Sequence, residues 1–166
     1  MLVTHPTTPA QPRVAVLLCC EKNLMPLSWH MPVSREPFRY AIAVRDENIT
    51  YNMLKKHGSF TLNFLPFSYH ETIDKAGRVH GDTVDKLTFC NLISSANDHN
   101  ENLILDDSDF VYECTIIDTY QHGDHTLFIA DVTNILIQEN RPSVPVLFLG
   151  RGQYCTTTPI SQIKMT

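Results

Sequence analysis

The stretch Asn23 to Pro37 (NLMPLSWHMPVSREP) gathers a tryptophan, a histidine and two methionines among prolines at 26, 32 and 37. Proline fixes its own φ, lacks an N–H and keeps the preceding residue out of the helical region, so the segment reads as extended. An extended Ser28-Trp29-His30-Met31 carries N–H groups that can meet the polar edge of a planar heterocycle, with apolar side chains along the ring faces. The same residues also read as an edge strand whose Trp and Met belong to the core. Arg45 to Thr50 (RDENIT) leaves a strand and enters a helix at Thr50. A helix N-terminus presents unpaired N–H groups and partial positive charge, which suits a phosphate. Thr50 adds a hydroxyl there and Arg45 a charge; an ordinary capped helix has the same residues. Lys86, after Val84-Asp85, reads as a further cation at such a site or as a solvated helix lysine. Asn63 lies mid-strand between apolar residues, where its amide must be satisfied by backbone or by a ligand. His122 and His125 flank a turn. The eight histidines make no pair with a cysteine at ligand spacing, so no metal site is expected.

The elements that must position these residues follow from periodicity. Val14 to Cys20 is a short apolar run, read as a buried strand. Arg39 to Arg45 and Ser59 to Leu65 alternate as strands do, the second stopped by Pro66. Thr50 to His57 reads as a helix with Thr50 at the N-cap and Gly58 at the C-terminal left-handed position. Tyr69 to Ala76, closed by Gly77, is a second helix. Thr83 to Cys90, capped by Asp82, is a third. Asp109 to Gln121 and His125 to Gln138 are long β-rich runs around His122-Gly123-Asp124, which predicts a hairpin. Val144 to Gly150 is a last strand, broken or at an edge because of Pro145. Helices and strands do not alternate regularly, so a small antiparallel barrel with helical insertions fits better than a parallel sheet. No G-x-G-x-x-G follows a strand, and no P-loop, G-x-S-x-G or H-E-x-x-H is present.

Composition narrows the function classes. The chain has 166 residues, 43% hydrophobic and 19% charged, which suits one domain of roughly 100–200 residues. The net charge is −5, with 13 basic residues and no stripe of them. Nucleic acid is therefore not an expected partner, because neutralising phosphates needs clustered Lys and Arg. The longest clean apolar run, Val14 to Cys20, is far short of the ~20 residues of a spanning helix. The N-terminus has no apolar h-region. Five cysteines at 19, 20, 90, 114 and 155 are irregularly spaced and read as reduced, mostly buried thiols, so a cytoplasmic protein is expected.

Taken together, Asn23-Leu24-Met25-Pro26 and Ser28-Trp29-His30-Met31-Pro32-Val33-Ser34 resemble the signature of the flavin reductase-like proteins. The agreement runs through Tyr40–Arg45, Thr50-Tyr51, Phe60–Phe64, Gly81 and Val84–Lys86. It continues through Gly123-Asp124-His125-Thr126-Leu127-Phe128-Ile129 and Leu147–Tyr154. It spans about residues 12–155, with residues 1–11 as an N-terminal arm and 156–166 as a tail. The flavoredoxin branch is the most similar. The resemblance implies a mainly β, antiparallel split barrel and a homodimer with one FMN per subunit near the interface. By the same resemblance, Asn23, Trp29, Thr50 and Lys86 hold the phosphate and ribityl end. The backbone of Ser28, Trp29, His30, Met31 and on to Ser34 meets the isoalloxazine ring. Arg45 and Asn63 carry over more weakly. His125 lies near the reactive face, where a nicotinamide would stack. Arg13-Val14, Cys19-Cys20 and Pro37-Phe38 depart from the family pattern without touching a named FMN contact.

Two activities follow. One is an NAD(P)H-dependent flavin reductase, in which His125 orients the nicotinamide or supplies a proton. The other is an FMN electron carrier without efficient NAD(P)H oxidation. Outside the resemblance stands a domain that has lost its flavin and only dimerises; Trp29, Thr50 and Lys86 count against it.

Overall fold

The structure is a computed structural model, and it describes residues 11–95, 97–139 and 144–157. In chain order the strands are β1 (Arg13–Val14), β2 (Val16–Cys20), β3 (Asn23–Leu27), β4 (His30–Arg35) and β5 (Phe38–Arg45). Helix α1 (Ile49–His57) leads to β6 (Ser59–Phe64), followed by α2 (His70–Ala76) and α3 (Lys86–Cys90). Then come β7 (Ser94–Ser95), β8 (Ile104–Leu105), β9 (Phe110–His122), β10 (His125–Ile137), β11 (Leu147–Gly150) and β12 (Gln153–Cys155).

Seven strands form one antiparallel sheet in the order β3-β2-β6-β9-β10-β5-β4. Its two edge strands, β3 and β4, are consecutive in the chain and separated only by Ser28-Trp29. Three Cα–Cα steps from Leu27 to His30 span at most about 11 Å. The sheet therefore curls until its edges nearly meet, yet no ladder joins them. This is the split barrel the sequence suggests.

Side-chain alternation fills two cores. Val16, Leu18, Ile42, Val44, Phe60, Leu62, Cys114 and Phe128 point into the barrel, each 0–1% exposed. Leu17, Cys19 and Leu24 point outward on β2 and β3, and pack under Ile73 and Ala76 of α2 and Cys90 of α3. β2 is thus buried on both faces, which is why its sequence is a continuous apolar run rather than an alternation. All five cysteines are free thiols, and four of them are buried. Burial pushes the Cys20 thiol up to about 12 and those of Cys19 and Cys114 further still, so none is a thiolate near neutral pH.

Several boundaries differ from the sequence reading, each for a local reason. Asn48, not Thr50, occupies the N-cap position of helix α1, without a side-chain capping bond, and Thr50 is the helix's second residue, buried. Gly58 does close it, at φ 68°. Helix α3 starts at Lys86 because Asp85, not Asp82, caps it: Asp85 accepts from the Leu87 N–H at 3.1 Å and the Thr88 hydroxyl at 2.7 Å. The last strand shrinks to Leu147–Gly150, since Pro145 has no N–H for a ladder and makes only an isolated bridge to Pro66. β12 follows it, too short for a periodicity to be visible. The 23–37 segment holds two strands rather than one. The hairpin of β9 and β10 stands where expected, its turn made by Gly123 at φ 60°. The proposed arm and tail lie outside the described residues, apart from Gln11 and residues 156–157. Among the described residues no helix is long and apolar enough to cross a membrane.

Phe128 is fully buried and meets Tyr51 of α1 edge-on, with ring centres 6.0 Å apart. Together with Leu54, which is fully buried in the same core, this contact seats α1 on the barrel. Phe128→Ala is expected to cost about 3–5 kcal/mol of stability through the cavity it leaves, read as a fall in the urea midpoint at unchanged slope.

Candidate functional site

The site is built along β3 and β4, at the seam of the barrel. At its polar end the β2–β3 turn carries Glu21 at φ 50°. The Glu21 N–H donates to Asn102 Oδ1 at 2.8 Å, and its carboxylate meets His57 Nε2 at 3.1 Å. Asn102 in turn donates to the Ser59 hydroxyl at 2.9 Å. This clamp fixes the next residue but one, Asn23. Asn23 is buried and donates from Nδ2 to Thr50 Oγ1 at 2.8 Å, tying β3 to the first turn of α1. No side chain caps that turn, and no acidic residue stands in it. The Tyr51 N–H is taken by the Asn48 carbonyl at 3.0 Å, which leaves the Ile49 and Thr50 amides and the helix dipole to suit an anion. Gly81 closes against this pair: a Cβ there would lie 2.1 Å from Asn23 Oδ1. Asn23 and Gly81 border a cavity of about 840 Å3, which Lys22, Ile49 and Met53 also line.

Lys86 sits behind this end rather than on the surface. It is 6% exposed, and its ammonium donates to the carbonyls of Leu24 at 2.7 Å and Ala76 at 2.9 Å. Burial draws its pKa below the ordinary lysine value. The side chain bolts β3 to α2 and α3 while holding a positive charge close to the Asn23 end.

The apolar end lies at the Ser28-Trp29 corner. A cleft of about 280 Å3 is floored by Ala41, Ala43 and Leu127 and walled by Arg13, Trp29 and Met31, with Ser28 and His30 also on its lining. Trp29 and Met31 are 42% and 55% exposed, so they are not core residues, as the edge-strand alternative required. The Trp29 indole stacks on the His125 imidazole, with ring centres 4.6 Å apart and planes at 21°. The Arg13 guanidinium lies 5.7 Å from the centre of the indole ring. His125 Nδ1 is 2.7 Å from Asp124 Oδ1, and Arg45 bridges to the other carboxylate oxygen at 3.2 Å. The bond from His125 and then that from Arg45 hold the Asp124 carboxyl below its usual range.

Of the residues expected from sequence, Asn23 and Thr50 meet at one end, while Ser28, Trp29, Met31 and His125 meet at the other. Trp29, expected with Asn23, Thr50 and Lys86 at the phosphate and ribityl end, lies at the apolar corner instead, and Asn63 and Arg45 also depart from expectation. The His30 ring is committed on both sides, to the Tyr40 hydroxyl at 2.8 Å and the Val14 carbonyl at 3.0 Å, which leaves its backbone, the part expected to meet a ring, on the open edge. Asn63 is fully buried. Its amide donates to Thr61 Oγ1 at 3.0 Å and accepts from the Leu105 N–H at 2.9 Å, which leaves it a clip between β6 and β8. Arg45 reaches Asp124 on the β9–β10 turn instead of the N-terminus of α1. Gly81, Arg13 and Asp124 have roles that their types alone did not signal. Among the described residues, no group of three or more His, Cys, Asp or Glu is placed to hold a metal ion.

Residues 6–158 match the flavin reductase like domain family. The chain belongs to that family. Its fold is shared with flavoredoxin of Desulfovibrio vulgaris (Miyazaki F), at a TM-score of 0.86 and 21% identity over 100% of this chain and 98% of that one. An FMN-binding protein of Thermus thermophilus gives 0.84 at 22% identity, over 98% and 96% of the two chains. NADH:FAD oxidoreductase SgcE6 of Streptomyces globisporus C-1027 gives 0.81 at 18% identity, over 92% and 89%. Family membership carries a flavin-binding or flavin-oxidoreductase role.

Burial pulls the His30 pKa below its ordinary 6.5. The unfolded chain therefore takes up this proton first as pH falls, and stability is lost below about pH 6.5. His30→Gln is expected to flatten that part of the stability curve, measured as urea midpoints at pH 7.5 and 5.5.

Proposed function

We propose that the protein binds FMN along the β3–β4 seam and passes electrons from NAD(P)H through it to an acceptor. The observation that carries this is the buried Asn23–Thr50 pair at the uncapped start of α1, with Gly81 pressed against it. Such a cradle suits a terminal phosphate, because its donors are already aimed and desolvated. When bound, FMN supplies the redox chemistry.

The residues divide the remaining tasks. Thr50, the first amides of α1 and Asn23 hold the phosphate. The Lys86 ammonium adds charge from behind. The unpaired edge of β4 donates N–H groups to the ring's polar edge, while Trp29, Met31, Ala41 and Leu127 exclude water from its faces. His125 holds or moves a proton at Nε2, since Nδ1 is engaged by Asp124. The reading includes a homodimer, supported by the exposed Trp29 at the corner and the exposed Met31 and Val33 on edge strand β4.

A second reading, an FMN electron carrier without efficient NAD(P)H oxidation, is favoured by the Trp29–His125 stack. A nicotinamide that is to stack near His125 has to displace the indole first.

The test is an anaerobic visible spectrum of the FMN-reconstituted protein with NADH, then NADPH. Bleaching within seconds is expected for the reductase. Bands that persist with both nucleotides but bleach with dithionite support the carrier. Loss of FMN on desalting, with no binding in a fluorescence titration, would overturn both. Asn23→Ala and Gly81→Ala are each expected to weaken FMN by about 10–100-fold, roughly the worth of one hydrogen bond to a charged group. Unchanged Kd values in both variants would remove the phosphate assignment.

A further inference from the structure

We propose that Asp124 is a positioning residue for His125. Clamped by Arg45, its carboxylate accepts the Nδ1–H of His125, so the imidazole keeps one tautomer, stays stacked on Trp29 and presents Nε2 on the ring edge away from Asp124.

The argument begins at the turn. Neighbouring residues of a strand point to opposite faces, so Asp124 and His125 would not meet within a regular ladder. They meet because Asp124 lies in the two-residue turn that Gly123 makes possible at φ 60°. The contact is 2.7 Å, between His125 Nδ1 and Asp124 Oδ1. An ionised carboxylate has no proton to give, so Nδ1 must be the donor. Arg45, at the end of β5, bridges to the second oxygen at 3.2 Å and keeps the carboxylate facing the ring. Next along the chain, Asp46 accepts from Thr126 Oγ1 at 2.7 Å and Gln121 Nε2 at 3.1 Å, which locks both hairpin strands against the end of β5. The charged and titratable groups around the ring are then Asp124 and Arg45 beside it, His122 opposite it in register, Asp46 behind, and Arg13 across the indole. A free neutral imidazole in water favours the Nε2–H tautomer. The one read here is therefore imposed by Asp124. With Nδ1 fixed as donor, Nε2 is the nitrogen left to accept or release a proton.

This rests on the flavin reading only for what Nε2 would meet; the tautomer and the stack are properties of the chain alone. The experiment uses 15N-histidine-labelled full chain without flavin, with His125→Gln to assign the signal. His125 is expected as the Nδ1–H tautomer in the wild type. In Asp124→Ala it is expected to move to mostly Nε2–H. The near-UV circular dichroism of Trp29, the single tryptophan of the chain, should fall at least twofold in the same variant. Asp124→Asn, whose amide oxygen still accepts, should restore both. With FMN bound, Asp124→Ala should slow nicotinamide-driven bleaching at least tenfold while the FMN Kd stays within twofold. A wild-type Nε2–H tautomer, or an Asp124→Ala protein with unchanged tautomer and Trp29 signal, overturns the proposal. The wild-type tautomer decides even if Asp124→Ala does not fold. Failure of the wild type to bind FMN would sink the flavin reading and leave the tautomer result standing.

Discussion

Everything in this molecule depends on a two-residue corner. β3 and β4 occupy opposite ends of a seven-stranded sheet, yet only Ser28-Trp29 separates them. The sheet has no choice but to curl, and the curl ends in a seam with two unpaired edges facing one another. Edge strands are normally a liability, and proteins blunt them with proline, charge or a cover. Here Pro26 stands on one edge and Pro32 on the other. They restrict which amides face outward without removing the edge. A backbone edge that is neither paired nor fully blocked, placed beside an apolar cleft, is what a flat polar ligand needs.

The same seam explains the contrast among the polar residues near it. Asn63, Asn23 and Lys86 are all at most 6% exposed. Asn63 is saturated by backbone and side-chain partners from four segments, so its work is to hold elements together. Lys86 has two carbonyl acceptors at short range and, among the described residues, no carboxylate within salt-bridge distance, Asp82 acting on it only from further off. A buried cation of this kind is tolerated only if something repays its desolvation. Asn23 is the intermediate case: one bond to Thr50, a glycine against its carbonyl and a cavity in front. Saturation thus separates the residues that build the seam from those left with capacity for the proposed ligand.

Much of this was legible in the chain itself. The hairpin was plain because β-rich runs flank a glycine-containing turn. Gly58 was plain because a helix end at positive φ strongly favours glycine. The Ser28–Met31 platform and the Thr50 helix start were legible as extended backbone and as an N-terminus. The errors have specific causes. Asp82 and Asp85 are both good caps in isolation, and only the Leu87 and Thr88 contacts choose between them. Arg45 had two electrostatic partners within reach of the chain direction, the start of α1 and the turn at Asp124. Sequence gives no distance with which to choose. Asn63 stayed open between a backbone and a ligand partner because saturation is a tertiary property: its Leu105 partner lies 42 residues away.

Charge is where composition misleads most about such a site. The chain is acidic, and Glu21, Asp82, Asp85 and Glu101 line the cavity proposed to receive a phosphate. Read as net charge, that rim argues against an anion. The magnitudes argue otherwise. Two unit charges about 8 Å apart in water interact by only about 0.5 kcal/mol, and physiological salt screens this further. A hydrogen bond to a charged group is worth about 1.5–3 kcal/mol when its donor is already placed. Asp85 is moreover committed to capping α3, and Glu21 to His57 and its own turn. A few aimed donors at the start of α1 therefore outweigh a ring of solvated carboxylates. The rim acts chiefly on how fast an anion arrives and how strongly its binding depends on salt. On the proposed FMN reading, the geometry of Asn23, Thr50 and Gly81 then weighs more than the overall acidity of the chain.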